Sequence, residues 1–162
     1  MKTKEHLPIL GVGPFYVASI LLLTFLAVLG RKLPFLSSGN LVKFRIPLMI
    51  LGGLCIGLAA WIWIQAVLIA KLDAHIKRNQ LLTTGIYAWV RNPVYTAFML
   101  LCTGITLLIG NAWFFILPFL YWGLLTVLMK NTEEKWLKDR YGNEYTEYCK
   151  KVNRCWPWIP RG

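Results

Sequence analysis

An all-α integral membrane bundle of about four transmembrane helices, followed by a cytoplasmic amphipathic helical tail, is the fold class this sequence predicts. Three observations predict it. Of 162 residues, 57% are hydrophobic and 15% charged, whereas soluble domains average about 45–50% apolar and about 25% charged; mean hydropathy is +0.52. Four uncharged apolar runs take up more than half of the length, and Lys and Arg are distributed unevenly between the segments that join them. No independent soluble nucleotide-binding or nucleic-acid-binding domain fits in the remainder, so residues 1–162 read as one domain.

The first run, Leu7 to Gly30, has 24 uncharged residues, enough for a span of about 20. It follows Lys2 and Lys4 as a signal peptide would, but no small-x-small cleavage site precedes a soluble region, so it reads as a retained span. Gly11-x-Gly13 lacks a third glycine and a preceding strand, which removes it as a nucleotide loop. The second run, Ile46 to Ala70, has 25 residues with Gln65 as its one strongly polar side chain. Gly53 and Gly57 on it make a small-xxx-small face, expected to serve packing within the chain. Val94 to Gly110 and Ala112 to Met129 are parted by Asn111 alone, and Gly110-Asn111 suits a tight reversal because both residues tolerate positive φ. The pair predicts an antiparallel hairpin, with Pro93 at the first helical position, where a missing N–H costs little.

With the N-terminus inside, fourteen of the eighteen Lys and Arg fall on one side and four, Arg31, Lys32, Lys43 and Arg45, on the other. That is the positive-inside asymmetry, and it assigns 71–92, 130–162 and both termini to the cytoplasmic face. The net charge of +11 is thereby explained by topology and anionic lipid, not by nucleic acid. Cys55, Cys102, Cys149 and Cys155 form no C-x-x-C pair, and His6 and His75 stand alone, so neither a disulfide scaffold nor a metal site is expected. In the tail, Leu137, Tyr141, Tyr145, Tyr148 and Val152 recur at helical spacing. Gly142 interrupts them and Asn143 is a candidate N-cap, which predicts two short helices near the membrane surface, before an aromatic end at Trp156, Pro157, Trp158 and Pro160.

Residues 79–95, NQLLTTGIYAWVRNPVY, are too rich in polar, aromatic and turn residues for a plain linker. Gly85 permits a tight turn or a close backbone approach to a ligand. Arg91 can fork onto a carboxylate or phosphate, and Tyr87 and Tyr95 offer aromatic faces to a cation. Each residue also has a plainer reading: helix stop, positive-inside anchor, interfacial belt. Glu133 and Glu134 open a helix whose N-terminal dipole favours carboxylates, with Lys130 four residues before Glu134 on the same face, the spacing of a weak surface ion pair.

Taken together, NQLLTTGIY at 79–87, RNPVY at 91–95, the hairpin, Lys130 before Glu133-Glu134, and GNEYTEY at 142–148 resemble the isoprenylcysteine carboxyl methyltransferase family and its phospholipid and thiol methyltransferase relatives. The likeness covers about residues 71–162. It implies S-adenosylmethionine bound at the cytoplasmic face by Asn79, Gln80, Leu81, Leu82, Gly85, Tyr87, Asn92, Pro93, Val94, Tyr95 and Glu133. It also implies that Arg91, Lys130 and Glu134 carry the substrate-side chemistry. The family's pattern has histidines where Asn79 and Asn92 stand and an arginine at Lys130; Asn keeps hydrogen bonding but cannot become cationic, and Lys lacks the bidentate fork.

The function implied is methyl transfer to a lipidic or membrane-partitioned acceptor, most like isoprenylcysteine carboxyl methylation. A carboxylate acceptor needs no base, whereas an amine or thiol must lose a proton, for which Glu134 is the matched candidate. Phospholipid-amine or small-thiol methylation is the alternative within this chemistry. A non-catalytic membrane scaffold or transporter subunit is the alternative outside it, although the spans contain no Asp, Glu, Lys or Arg to mark an ion path.

Overall fold

The computed structural model describes residues 11–70 and 80–158. Within them the chain is helices and turns, with one isolated bridge between Asn40 and Asn111. Four apolar helices come first: α1 (Gly13–Gly30), α2 (Arg45–Ile64), α3 (Pro93–Ile109) and α4 (Ile116–Asn131). Two short polar helices follow, α5 (Glu133–Tyr141) and α6 (Asn143–Lys151). Gly13–Gly30, Val42–Ile69 and Ala112–Tyr141 are long and apolar enough to cross a membrane, while Pro93–Ile109 is a shorter apolar helix. Phe15, Phe119 and Ile46 stand among many large apolar side chains exposed on the outside of the bundle. Such a surface is stable against lipid, not water, and the protein is an integral membrane protein.

Small residues set the closest helix contact, but not the expected ones. A Cβ on Gly52 would meet the carbonyl oxygen of Gly104 at 2.9 Å, and one on Gly104 would meet that of Gly52 at 2.8 Å, so α2 and α3 approach backbone to backbone. At Gly53 and Gly57 an added Cβ would meet nothing within 4 Å. The expectation that those two serve packing within the chain is corrected: one residue along a helix is a rotation of about 100°, and the neighbour lies on the Gly52 side.

A second core joins α1, α3 and α4 through Tyr16, Ile20, Met99, Cys102, Tyr121 and Leu125. In hydrocarbon a polar group must find its partner inside the protein. Tyr16 Oη donates to the Tyr121 carbonyl at 3.3 Å, and the hydroxyls of Thr24 and Tyr121 share a hydrogen bond of 2.8 Å.

Gly110 turns the α3–α4 reversal in the left-handed region at φ 68°. Asn111, expected to tolerate positive φ there, is extended at φ −124° and works through its side chain. Its Nδ2 donates to the Leu36 carbonyl at 2.7 Å and to Asn40 Oδ1 at 3.0 Å, and its Oδ1 accepts from Trp113 N at 3.0 Å. A 3-10 turn, Ala112–Phe115, then leads into α4. At the far end of α2 the helix widens into a π turn over Gln65–Ile69, closed by Ala70 N to Gln65 O at 3.0 Å.

The two tail helices are present, and Leu137, Tyr141, Tyr145, Tyr148 and Val152 do share one cluster, which also takes in Leu81 and Cys149. Gly142, at φ 56°, occupies the N-cap position and Asn143 is the first residue of α6, one place later than expected. The tail's apolar stripe packs against the segment that precedes α3, meeting Leu81 and the Tyr87 carbonyl.

Candidate functional site

The segment before α3 folds because its apolar residues have somewhere to go. Gly85, at φ 62°, opens a 3-10 turn, Gly85–Ala88. Leu82, Ile86 and Tyr87 then pack with Ala59, Ile62 and Ala66 of the α2 end and with Val94. Burial pushes the Tyr87 phenol up to about 12.

The C-terminal strap, residues 152–158, is laid along this segment by polar contacts. Tyr148 Oη donates to the Tyr87 carbonyl at 2.6 Å, Trp158 N to the Trp89 carbonyl at 3.0 Å and Arg91 N to the Asn153 carbonyl at 2.9 Å. Asn92 Nδ2 donates to the Arg154 carbonyl at 3.2 Å, and Thr96 Oγ1 to the Cys155 carbonyl at 3.0 Å. Asn92 can do this because an amide nitrogen is a permanent donor. Burial raises the phenols of Tyr145 and Tyr148, so both stay neutral hydrogen-bonding groups.

Two carboxylates adjacent in sequence point to different partners. Glu134 accepts from Arg154 twice, Nε to Oε1 at 2.5 Å and Nη2 to Oε2 at 2.8 Å, the bidentate geometry that planar guanidinium and carboxylate groups favour. Arg91 Nη1 approaches the same Oε1 at 3.2 Å and is itself 3.5 Å from Tyr145 Oη and against Cys149 Sγ. The Arg91 side chain is 9% exposed and that of Glu134 14%. Hydrogen bonding to Glu134 holds the Arg154 guanidinium above its usual range. Among the described residues, Arg91 Nε is the buried side-chain nitrogen or oxygen left without a partner. An unfilled buried donor is costly to fold around.

Glu133 faces the other way. Its Oε1 accepts from Tyr95 Oη at 3.0 Å and its carboxylate also bonds the Val12 backbone at the start of α1, while burial, the larger influence, pushes the carboxyl above its usual range. Tyr95 in turn packs edge-on against Tyr16, ring centroids 6.0 Å apart.

Of the residues singled out from sequence, Leu82, Tyr87 and Val94 share one cluster. Asn92 and Arg91 meet the strap, Tyr95 meets Glu133, and Pro93 is buried at the first turn of α3. Gln80 is exposed, Leu81 packs against the tail, and Gly85 borders open space. Asn79 lies outside the described residues. Lys130 is exposed at the end of α4 and lines, with Glu134, Lys135, Lys138, Tyr145 and Cys149, a recess of about 290 Å³. The expected Lys130–Glu134 pair does not form: Thr132, at φ −127° and ψ −87°, breaks the helix between them, and Glu134 turns to the two arginines. Arg154 and Thr96 were not singled out from sequence. Arg154 lies past the tail's helical stripe, and the one clue to it is that a half-buried glutamate needs a cationic partner.

Residues 47–144 match the family model described as phospholipid methyltransferase, a stretch that includes Arg91 to Tyr95, Lys130, Glu133 and Glu134 but not Arg154. The chain is also similar to protein-S-isoprenylcysteine O-methyltransferase of Schizosaccharomyces pombe (strain 972 / ATCC 24843), 36% identical over 121 residues, which cover 68% of this chain and 49% of that protein. The chain thus spans about half the length of the curated relative it matches. No solved structure matches.

Proposed function

The chain belongs to the phospholipid methyltransferase family, and from that membership we propose that it is a membrane-embedded S-adenosylmethionine-dependent methyltransferase acting on a lipidic acceptor, most like isoprenylcysteine carboxyl methylation. In this reading Pro93–Ile109 is a fourth span, 1–162 act as one domain, and the site and both termini face the cytoplasm.

The residues fit such a cofactor in kind. Tyr87 and Tyr95 bring aromatic rings and Glu133 a carboxylate held by Tyr95. With the backbone of 79–82 and 92–95 they make up the proposed cofactor-binding set. When bound, the cofactor supplies a methyl group on a positively charged sulfur. The chain's part is to align an acceptor with that carbon, and positioning of this kind can supply most of the rate gain.

The observation that carries the acceptor class is the occupancy of Glu134. Both of its oxygens are engaged by guanidinium N–H groups, so it is poorly placed to accept a proton from an amine or thiol. A carboxylate acceptor requires no such step. It also suits the cationic side chains nearby, with Arg91 against Glu134 and Lys130 lining the recess that Glu134 borders. The similar Schizosaccharomyces pombe protein is a protein-S-isoprenylcysteine O-methyltransferase, in keeping with this. The family's description favours a second reading, methylation of a phospholipid amine.

Calorimetric binding of S-adenosylhomocysteine to protein in lipid nanodiscs tests the core of the proposal. Binding that weakens about tenfold or more in Tyr95→Ala, the loss of a charged-group hydrogen bond together with ring contacts, supports it. No binding by folded wild type turns the reading towards a scaffold. Transfer of labelled methyl to a farnesylcysteine analogue but not to phosphatidylethanolamine separates the two acceptor classes.

A further inference from the structure

We infer that the recess between α5, α6 and the end of α4 binds the phosphomonoester headgroup of an anionic lipid, with Lys135 and Lys138 as the residues that recognise it. Its volume, about 290 Å³, lies at the small end of ligand pockets, which run from about 300 to 1,000 Å³; that is room for a headgroup and not for an acyl chain. The inner and outer residues of the recess differ in how they are engaged. Inside, the polar groups are committed to the chain itself: Glu134 to Arg154 and Arg91, Tyr145 and Cys149 to Arg91, and Thr146 to the Gly142 carbonyl at 3.2 Å. Outside, Lys130, Lys135 and Lys138 are exposed. The ion pairs among the described residues, Arg91–Glu134, Arg154–Glu134 and Lys150–Glu147, involve none of these three lysines. Two guanidinium groups already more than cancel the one carboxylate in the recess, so the lysines leave a surplus of positive charge that the chain does not answer.

That surplus is carried by ammonium groups on flexible stems, which bind phosphate as point charges and do not demand a planar, two-point edge. A phosphomonoester brings about −1.5 to −2 charge at pH 7 and three strong acceptor oxygens, one for each lysine. The position of the recess points to a lipid as its bearer. On α4, Val127 is an exposed apolar side chain and Lys130 is exposed three residues on, about 4.5 Å further along the axis, so the recess opens where the lipid-facing apolar surface stops. Trp136, next to Lys135 on α5, is 37% exposed, and tryptophans favour the headgroup layer. A headgroup held here would tie to the membrane surface the same helix pair that brings Glu134 and Tyr145 to Arg91. General attraction between a basic face and anionic lipid acts alike on every exposed lysine of the tail, whereas a site acts through the lysines that line it.

The test titrates the full-length protein in detergent at pH 8 with dioleoyl phosphatidic acid, and in parallel with dioleoyl phosphatidylglycerol, a phosphodiester of lower charge, and counts bound lipid by native mass spectrometry. Saturable binding of one phosphatidic acid per chain is expected, about fivefold or more tighter than phosphatidylglycerol because of the second charge. Lys135→Gln/Lys138→Gln weakens it about tenfold or more, the least that two lysines beside a lipid phosphate should contribute. Lys150→Gln/Lys151→Gln removes the same charge from α6 outside the recess and leaves the affinity within about threefold. All four positions are exposed, where substitutions rarely disturb folding, and Lys130 is kept throughout because the proposed function also draws on it. Equal losses in the two double variants reduce the binding to general attraction and overturn the inference, as does equal affinity for the two lipids. Glycerol 3-phosphate, the headgroup without its chains, is titrated alone; binding as tight as that of phosphatidic acid assigns the recess to a soluble phosphorylated ligand and overturns the lipid. None of these outcomes bears on the methyltransferase reading, which S-adenosylhomocysteine binding tests separately.

Discussion

Glu133 and Glu134 are covalent neighbours with opposite employments. Glu133 ties α5 to Tyr95 of α3 and to the first turn of α1, so its contacts join three helices of the bundle. Glu134 reaches instead to Arg91 before α3 and to Arg154 in the strap, so its contacts lie between those two segments. Successive residues on a helix point about 100° apart, and at the start of α5 that rotation is enough to send one carboxylate to Tyr95 and the start of α1 and the other to Arg91 and Arg154. A paired-glutamate motif is therefore two devices, and a substitution in one need not report on the other.

The comparison can be broken most forcefully at Glu134. Glu134→Gln weakens the hold on two guanidinium groups at once, and kcat/KM is expected to fall about 100-fold, close to 2.7 kcal/mol of transition-state stabilisation, in a radiometric methyl-transfer assay. Its melting temperature in detergent should fall less than that of the next variant. Gly13→Ala puts a methyl into the Tyr95 ring and so jams the Glu133 side; overpacking of this kind costs about 1–3 kcal/mol, read as a lower melting temperature. The smallest effect belongs to Tyr95→Phe, which deletes the O–H that serves Glu133 while the Val12 contact remains. About 1 kcal/mol of stability is expected to go, read by the same thermal melt. If Glu134→Gln lowered stability more than Gly13→Ala did, the division of labour between the two glutamates would not stand.

Much of the fold was legible because hydrocarbon imposes a simple rule on sequence: the apolar runs became helices, with the α3–α4 reversal at Gly110 and two tail helices around Gly142. What periodicity cannot supply is the side from which a neighbour approaches, and for that reason Gly53 and Gly57 drew attention while Gly52 and Gly104 make the contact. The paired glutamates, Arg91 and Tyr95 were visible as candidate site residues because unusual side chains clustered beside a span. Their partners were not. Lys130 stands at the right spacing for Glu134, but spacing assumes an unbroken helix, and Thr132 breaks it. Arg154 is brought to Glu134 by a strap whose course is set by backbone carbonyls, and carbonyls are the one feature every residue shares.

The hairpin end of the bundle is pinned. Asn111 fastens Leu36, Asn40 and Trp113 with its side chain, and α2 and α3 lie backbone to backbone at Gly52 and Gly104, towards that same end. At the opposite end α2 relaxes into a π turn beside the segment that carries Arg91. The bundle is thus held by hydrogen bonds and backbone contact at one end and by an apolar cluster at the other, where Ala59, Ile62 and Ala66 pack with Leu82, Ile86 and Tyr87.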